Sequence, residues 1–271
     1  MNASPGVVLG IDAAWTAGKP SGVALAVRQA GRWRLRAVAP SYDHFLAMAR
    51  GGALPARPLG SLPDAAALIA AAARIAGAAV TLVAIDMPLA LTPIVARRAA
   101  DNAIARQFGA RHCSTHSPSA ARPGALSDAL RAGFAAAGYP LQMRDATAGG
   151  LIEVYPHPAL VVLANAARRL PYKAGNSAKY WPGESLDTRR RLLREQWSRI
   201  AALLGSRLDD IADHLPPLPD PATGVETKAH EDMLDAIVCA WVGVTALTGE
   251  AVAYGDDDSA IWVPREPIGT Q

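Results

Sequence analysis

The chain has 271 residues, 51% of them hydrophobic and 19% charged, and carries a formal net charge of +3. The apolar fraction excludes a disordered chain, and 23 Gly without a three-residue period exclude a collagen-like one. Two Cys cannot staple a disulfide scaffold, and so small a net charge does not by itself mark a nucleic-acid binder.

Residues 7–11 are a short apolar run followed by Asp12, which reads as a buried strand ending at an acid. Residues 22–27 are apolar again. Ala30-Gly31 signals a turn, after which Trp33, Leu35 and Ala37 alternate with Arg32, Arg34 and Arg36, a strand with one wet, basic face. Residues 50–63, rich in Gly and Pro, form a loop. Asp64 caps an Ala-rich helix running to about residue 76, with Gly77 after it. Residues 80–85 make a fourth strand ending at Asp86. Pro93 precedes a helical stretch over 94–108, and a polar loop spans 111–124. A helix over 126–137 stops at Gly138, and residues 151–155 make a fifth strand. A short helix follows Pro156-His157-Pro158, over 159–168.

Residues 171–185 form a loop, and Asp187 can cap a helix whose apolar stripe is Leu193, Trp197, Ile200 and Leu204. A proline-rich break precedes a long helix over 228–247, with Leu234, Ile237, Trp241 and Val244 in its stripe. The tail holds a turn over 255–258 and an apolar Ile-Trp-Val piece. This order predicts a mixed α/β sheet covered by helices, in a single domain over 1–271. The segments 87–150 and 156–225 are helical and loop-rich, and cover the sheet or cap a site.

Cys113 and Cys239 lie far apart, and the N-terminus lacks a basic head before a long apolar run. A cytoplasmic protein without a secretory signal is the expectation. The apolar windows 65–85 and 233–253 each contain charges, and the first divides at Gly77 into a helix and a strand, so no membrane span is expected.

Acids stand at telling places. Asp12 ends the first strand, Asp86 ends the fourth and Glu153 lies in the fifth. Asp232 and Asp235 are three residues apart near the start of the last helix, and so share a face. Ligands of open α/β sheets bind at the carboxyl ends of strands. Carboxylates gathered there repel one another, and a divalent cation relieves the repulsion. Oxygen-only donors suit Mg²⁺ or Mn²⁺, and two such ions clamp the attacking and leaving oxygens in phosphodiester cleavage. Each acid also has an ordinary reading: a strand-end cap for Asp12 and Asp86, an Arg partner for Glu153, and the helix dipole for the acids of the last helix.

The blocks VVLGIDAAWT, PSGVALAV, VAIDMPLA, LIEVYPHPAL, KAHEDMLDAIVCAWVG and AYGDDDSAIWVP resemble domain-of-unknown-function family 429. Its bacterial and archaeal members are described as predicted RNase-H-like nucleases. The resemblance runs from about residue 7 to 264 and implies a ribonuclease-H-like fold. In that fold a five-stranded mixed sheet, strands one to three antiparallel, is flanked by helices on both faces. Asp232-Met-Leu-Asp235-Ala236 is similar to the D-x-x-D-A helix of Holliday-junction resolvases. That likeness implies Asp12, Asp86 and Asp235 as metal ligands, with Asp232 a further candidate. The resolvases carry Glu where Asp86 stands, which shortens the reach by one methylene, and Glu153 is the less secure member of the set.

Other residues are candidates for substrate contact. Arg98, beside Arg97 and Asp101, can hold a phosphate or simply lie on a solvated helix face. His157 can carry a proton or touch a phosphate. Lys173 and Lys179, interleaved with Tyr172, Tyr180 and Trp181, fit a nucleic-acid contact or ordinary loop packing. His112, Cys113 and His116 lack a fourth zinc ligand at suitable spacing.

The expectation is therefore a Mg²⁺- or Mn²⁺-dependent nuclease acting on DNA or RNA through two ions, with catalytic acids Asp12, Asp86, Glu153, Asp232 and Asp235. Without those acids the rest of the chain is clearly basic. Two alternatives stand beside it. Gly10-Ile11-Asp12 before Ser21-Gly22 also resembles the first phosphate loop of actin-like kinases, implying an ATPase or phosphotransferase, although those proteins use two such domains. A non-catalytic nucleic-acid-binding protein is the other.

Overall fold

The computed structural model describes residues 6–266. Seven strands form one mixed sheet: β1 (Val7–Asp12), β2 (Gly22–Gln29), β3 (Arg32–Ala39), β4 (Leu82–Asp86), β5 (Gly150–Val154), β6 (Ala251–Gly255) and β7 (Ala260–Pro264), in the order β3-β2-β1-β4-β5-β7-β6. β1, β4, β5 and β7 run parallel, so their carboxyl ends share one sheet edge. β2 and β3 pair antiparallel on one side, and β6 pairs antiparallel with β7 on the other.

The helices are α1 (Tyr42–Arg50), α2 (Ala65–Ala76), α3 (Ala99–Phe108), α4 (Ala125–Ala136), α5 (Pro156–Leu163), α6 (Ser177–Tyr180), α7 (Leu186–Gly205), α8 (Ile211–His214) and α9 (Gly224–Leu247). Period-2 alternation sends neighbouring side chains to opposite faces of the sheet. Val8, Leu82, Ala84, Ile152 and Val154 pack under α9, with Trp197 and Ile200 of α7 behind it. Leu9, Ile11, Val83, Ile85 and Leu151 pack on the other face with Phe45 of α1, Leu68 of α2 and Phe134 of α4.

The five-strand expectation is too small. The tail folds back as the β6–β7 hairpin and adds β7 beside β5. Its turn and its Ile-Trp-Val piece were legible, but the parallel pairing to β5 is a long-range contact that no local pattern announces. Helix α1 is also additional. Ser41 caps it by accepting the His44 N–H, and Gly51 ends it in the left-handed region at φ 65°. Residues 94–98 are not helical, because Arg98 is the cap of α3 and Asp101 closes back on its backbone N–H. Helix α5 begins earlier than expected, with Pro156 in its first turn, where a missing N–H costs nothing. Ser185, not Asp187, caps α7, and Thr223 with Glu226 forms a capping box for α9.

Two glycines let α9 lie directly on the sheet. A Cβ at Gly10 would overlap the backbone of Ala236 and Ala240, and one at Gly22 would overlap the Asp232 carbonyl. This close seat brings the amino-terminal half of α9 over the ends of β1 and β4. The β3 edge is not left open. Leu35 and Trp33 exchange backbone hydrogen bonds with Asp209, and Arg32 and Arg34 pair with Asp209 and Asp210. No helix among the described residues is long and apolar enough to cross a membrane.

Candidate functional site

Asp12 and Asp86 are register partners at the ends of parallel β1 and β4. Each lies two residues beyond a residue packed against α9, Gly10 and Ala84, so each carboxylate points to the α9 side. α9 adds Glu231, Asp232 and Asp235, all buried. A cavity of about 940 Å³ opens over this edge. Asp12, Asp86, Glu231 and Asp232 lie on its floor, while Lys19, Arg122, Arg169, Lys173 and Lys228 stand on its walls.

The acids are electrostatically strained. Burial, then repulsion from Asp232, pushes the Asp12 carboxyl well above the ordinary carboxylate range, and Lys173 and Lys228 counter this only in part. Burial and then Asp12 push Asp86 up in the same way. Asp12 and Asp232 lie close enough that the neighbouring Asp232 makes Asp12 harder to ionise. The exposed parts of Asp12 and Asp86 face the cavity.

The acids of α9 have cationic partners of their own. Lys228, one helical turn earlier, bonds Asp232 and lies 3.1 Å from Glu231. Lys173 bonds Asp235 and lies 3.6 Å from Glu231. Tyr172 donates its hydroxyl to the other Asp235 oxygen at 2.7 Å. Burial still raises the Asp235 carboxyl to about 6, with Lys173 pulling the other way.

Glu153 lines the cavity as well, together with Arg98 and Asp101, but from another strand face. It lies in β5 between Ile152 and Val154, both of which pack on the α9 side, so its side chain leaves by the opposite face. There it accepts the Leu89 N–H at 2.6 Å and a two-pronged pair from Arg98 at 2.5 and 2.7 Å. Burial lifts it to about 7 against the pull of Arg98. Arg98 is itself fully committed. Its guanidinium donates to Glu153, to Asp101 twice at 3.0 Å, and to the Leu89 carbonyl at 2.7 Å. That accounts for all five guanidinium N–H donors. Arg98 lines the cavity, where these bonds tie the segment after β4 to β5.

His157 does reach the cavity wall. It is buried, stacked against Tyr155 and Tyr172 with ring centroids 5.4 and 5.1 Å away, and its Nδ1 has no partner. Burial, then Lys173, Arg169 and His116, holds it well below its usual value, so it is neutral and carries no proton to donate as a cation. Lys173 faces inward to the carboxylates rather than outward as a free phosphate contact. Its neighbour Tyr172 is buried, and Tyr180 packs edge-on against Trp181 at 5.7 Å. Sequence reasoning passed over Lys228, although the four-residue spacing to Asp232 signals such a pair. It also passed over Tyr172 as a partner of Asp235, and over Arg122 and Arg169, whose approach depends on the fold.

The donor chemistry fits a divalent ion at Asp12 and Asp86, which form no ion pair among the described residues. It does not extend to Asp235, both of whose oxygens are engaged. No group of three or more His, Cys, Asp or Glu side chains among the described residues is arranged to hold a metal ion. Mg²⁺ commonly binds through one or two carboxylates and keeps several waters, so a two-carboxylate floor remains consistent with it.

Fold and site together define an α/β protein with an acidic pocket at the carboxyl edge of a mixed, helix-flanked sheet. The chain belongs to the family described as "Protein of unknown function (DUF429)", which matches residues 10–259. Neither the curated proteins nor the solved structures contain a match.

Proposed function

We propose that the protein is a Mg²⁺- or Mn²⁺-dependent nuclease with a ribonuclease-H-like fold, hydrolysing phosphodiester bonds of DNA or RNA. One observation carries this reading: two carboxylates without ion-pair partners among the described residues, Asp12 and Asp86, adjoin at the ends of parallel strands under a wide cavity that basic side chains also line. The strand order β3-β2-β1-β4-β5 within the larger sheet, with the first three strands antiparallel, supports the fold assignment.

Asp12 and Asp86 would hold the ion, which supplies Lewis-acid stabilisation of charge on the phosphoryl group when bound. Arg122, Arg169 and Lys19 attract the polyanion and neutralise its phosphates along the walls. The Arg98–Glu153–Asp101 cluster keeps the cavity edge rigid from the far side of the sheet. Neutral His157 lines the cavity as a buried ring packed between Tyr155 and Tyr172.

The test is cleavage of a panel of single-stranded, hybrid and branched substrates in Mg²⁺ or Mn²⁺. Wild type should cleave at least one of them, and Asp12→Asn and Asp86→Asn should each lose at least about 100-fold. An inactive wild type across the panel counts against the reading. The lysine-paired acids of α9 favour a second reading, a non-catalytic nucleic-acid-binding protein. It requires that Asp12→Asn and Asp86→Asn bind nucleic acid as wild type does while no variant cleaves.

A further inference from the structure

We infer that Lys173 permanently takes the place of a second cation, so that the site accepts a single divalent ion at Asp12 and Asp86 instead of the pair expected from Asp235. This rests on the reading that Asp12 and Asp86 bind a divalent ion.

The lysine is held by construction. Tyr172 donates to Asp235 at 2.7 Å, the Ala174 N–H donates to Glu231 at 2.6 Å, and the Trp197 indole N–H donates to the Tyr172 carbonyl at 2.8 Å. Three successive residues, 172–174, are thus fastened to α9 and α7. From between these fixed points the ammonium contacts Asp235 and Glu231. It also lies 5.1 Å from the Tyr172 ring centroid, a further favourable contact for a cation.

A second divalent ion at Asp235 would have to share a carboxylate oxygen with an ammonium in contact with it, and like charges at that range repel strongly. Moving the ammonium aside would break its bond to Asp235 and leave Glu231 with Lys228 alone. Asp232 is shielded in the same way by Lys228, although that lysine is half in solvent and bound only by its own helical turn. The positive charge that a second ion would bring to the α9 acids is thus already present as a covalent part of the chain.

The experiment is titration of the full-length chain with MnCl₂ by calorimetry, together with Mn²⁺ electron paramagnetic resonance. Wild type should bind one ion per chain and give an uncoupled six-line spectrum. Two ions per chain, or a spin-coupled spectrum, would overturn the inference while leaving the metal reading standing. Lys173→Met should gain a second equivalent, and retention of a single equivalent counts against us. Should that variant fail to fold, Asp235→Asn decides. It should keep one equivalent with a Kd within threefold of wild type, and a loss above tenfold makes Asp235 a ligand and the inference wrong. No binding by wild type, with Asp12→Asn equally inert, removes the metal reading itself.

Discussion

Asp12 and Asp86 share one step of the β1–β4 register, and Asp12 makes Asp86 harder to ionise. Both carboxyls are raised, so their contribution to stability is complete below about pH 4. It is lost as pH rises through their folded values, and Glu153 at about 7 and Asp235 at about 6 add to the same trend. Wild type free of divalent ions should therefore lose stability between about pH 4 and 7 from these groups. Asp12→Asn removes part of that loss and should be about 1–2 kcal/mol more stable than wild type at pH 8, with little difference at pH 4. Urea denaturation at the two pH values measures it. An Asn variant less stable than wild type at pH 8 would show that the repulsion is not the dominant effect.

Divalent ions should reverse this penalty. Mn²⁺ at a hundredfold its Kd should stabilise wild type by about 2.7 kcal/mol at pH 8. The gain should shrink at pH 5, where protons hold the same oxygens. Asp86→Asn should show little gain at either pH. Thermal melts with and without Mn²⁺ report it, and equal gains in wild type and variant would place the ion elsewhere.

Arg98 and Glu153 form a buried pair, and breaking it from one side strands a charge. Arg98→Met should cost about 3–5 kcal/mol. The double variant Arg98→Met with Glu153→Leu should recover part of that loss, because Glu153 no longer leaves an unpaired carboxylate and only Asp101 still lacks its guanidinium partner. Chemical denaturation of the two variants separates these outcomes, and a double variant worse than the single would argue that the pair contributes more than mutual neutralisation.

Gly10→Ala sets a methyl against the backbone of α9. It should cost about 1–3 kcal/mol as the helix is displaced. Because Gly10 lies two residues before Asp12 on β1, Mn²⁺ affinity should change even though no carboxylate has been altered. Calorimetry on the folded variant tests this, with unchanged affinity as the contrary result.

The sheet's first five strands were readable because each is a short apolar run stopped by a turn signal or an acid. Asp12 and Asp86 were readable as a pair for the same reason, since both follow buried strands that turn out to be neighbours. Glu153 shows where this reasoning stops. It looks equivalent in one dimension, but its parity in β5 sends it to the other face, where Arg98 waits. The β6–β7 hairpin escaped because its parallel partner is more than a hundred residues away along the chain. The loop carrying Lys173 gave only a basic and aromatic composition. Its inward aim depends on Trp197 and Glu231 holding residues 172 and 174, contacts that arise only after folding.

Helix α9 has one more consequence, which concerns synthesis. Asp12 emerges from the ribosome before Asp232, so the pocket cannot close until α9 has been made. A nascent or truncated chain ending before Thr223 carries Asp12 and Asp86 without the carboxylates and Lys228 of the helix. Order of synthesis thus delays the finished pocket until α9 has emerged.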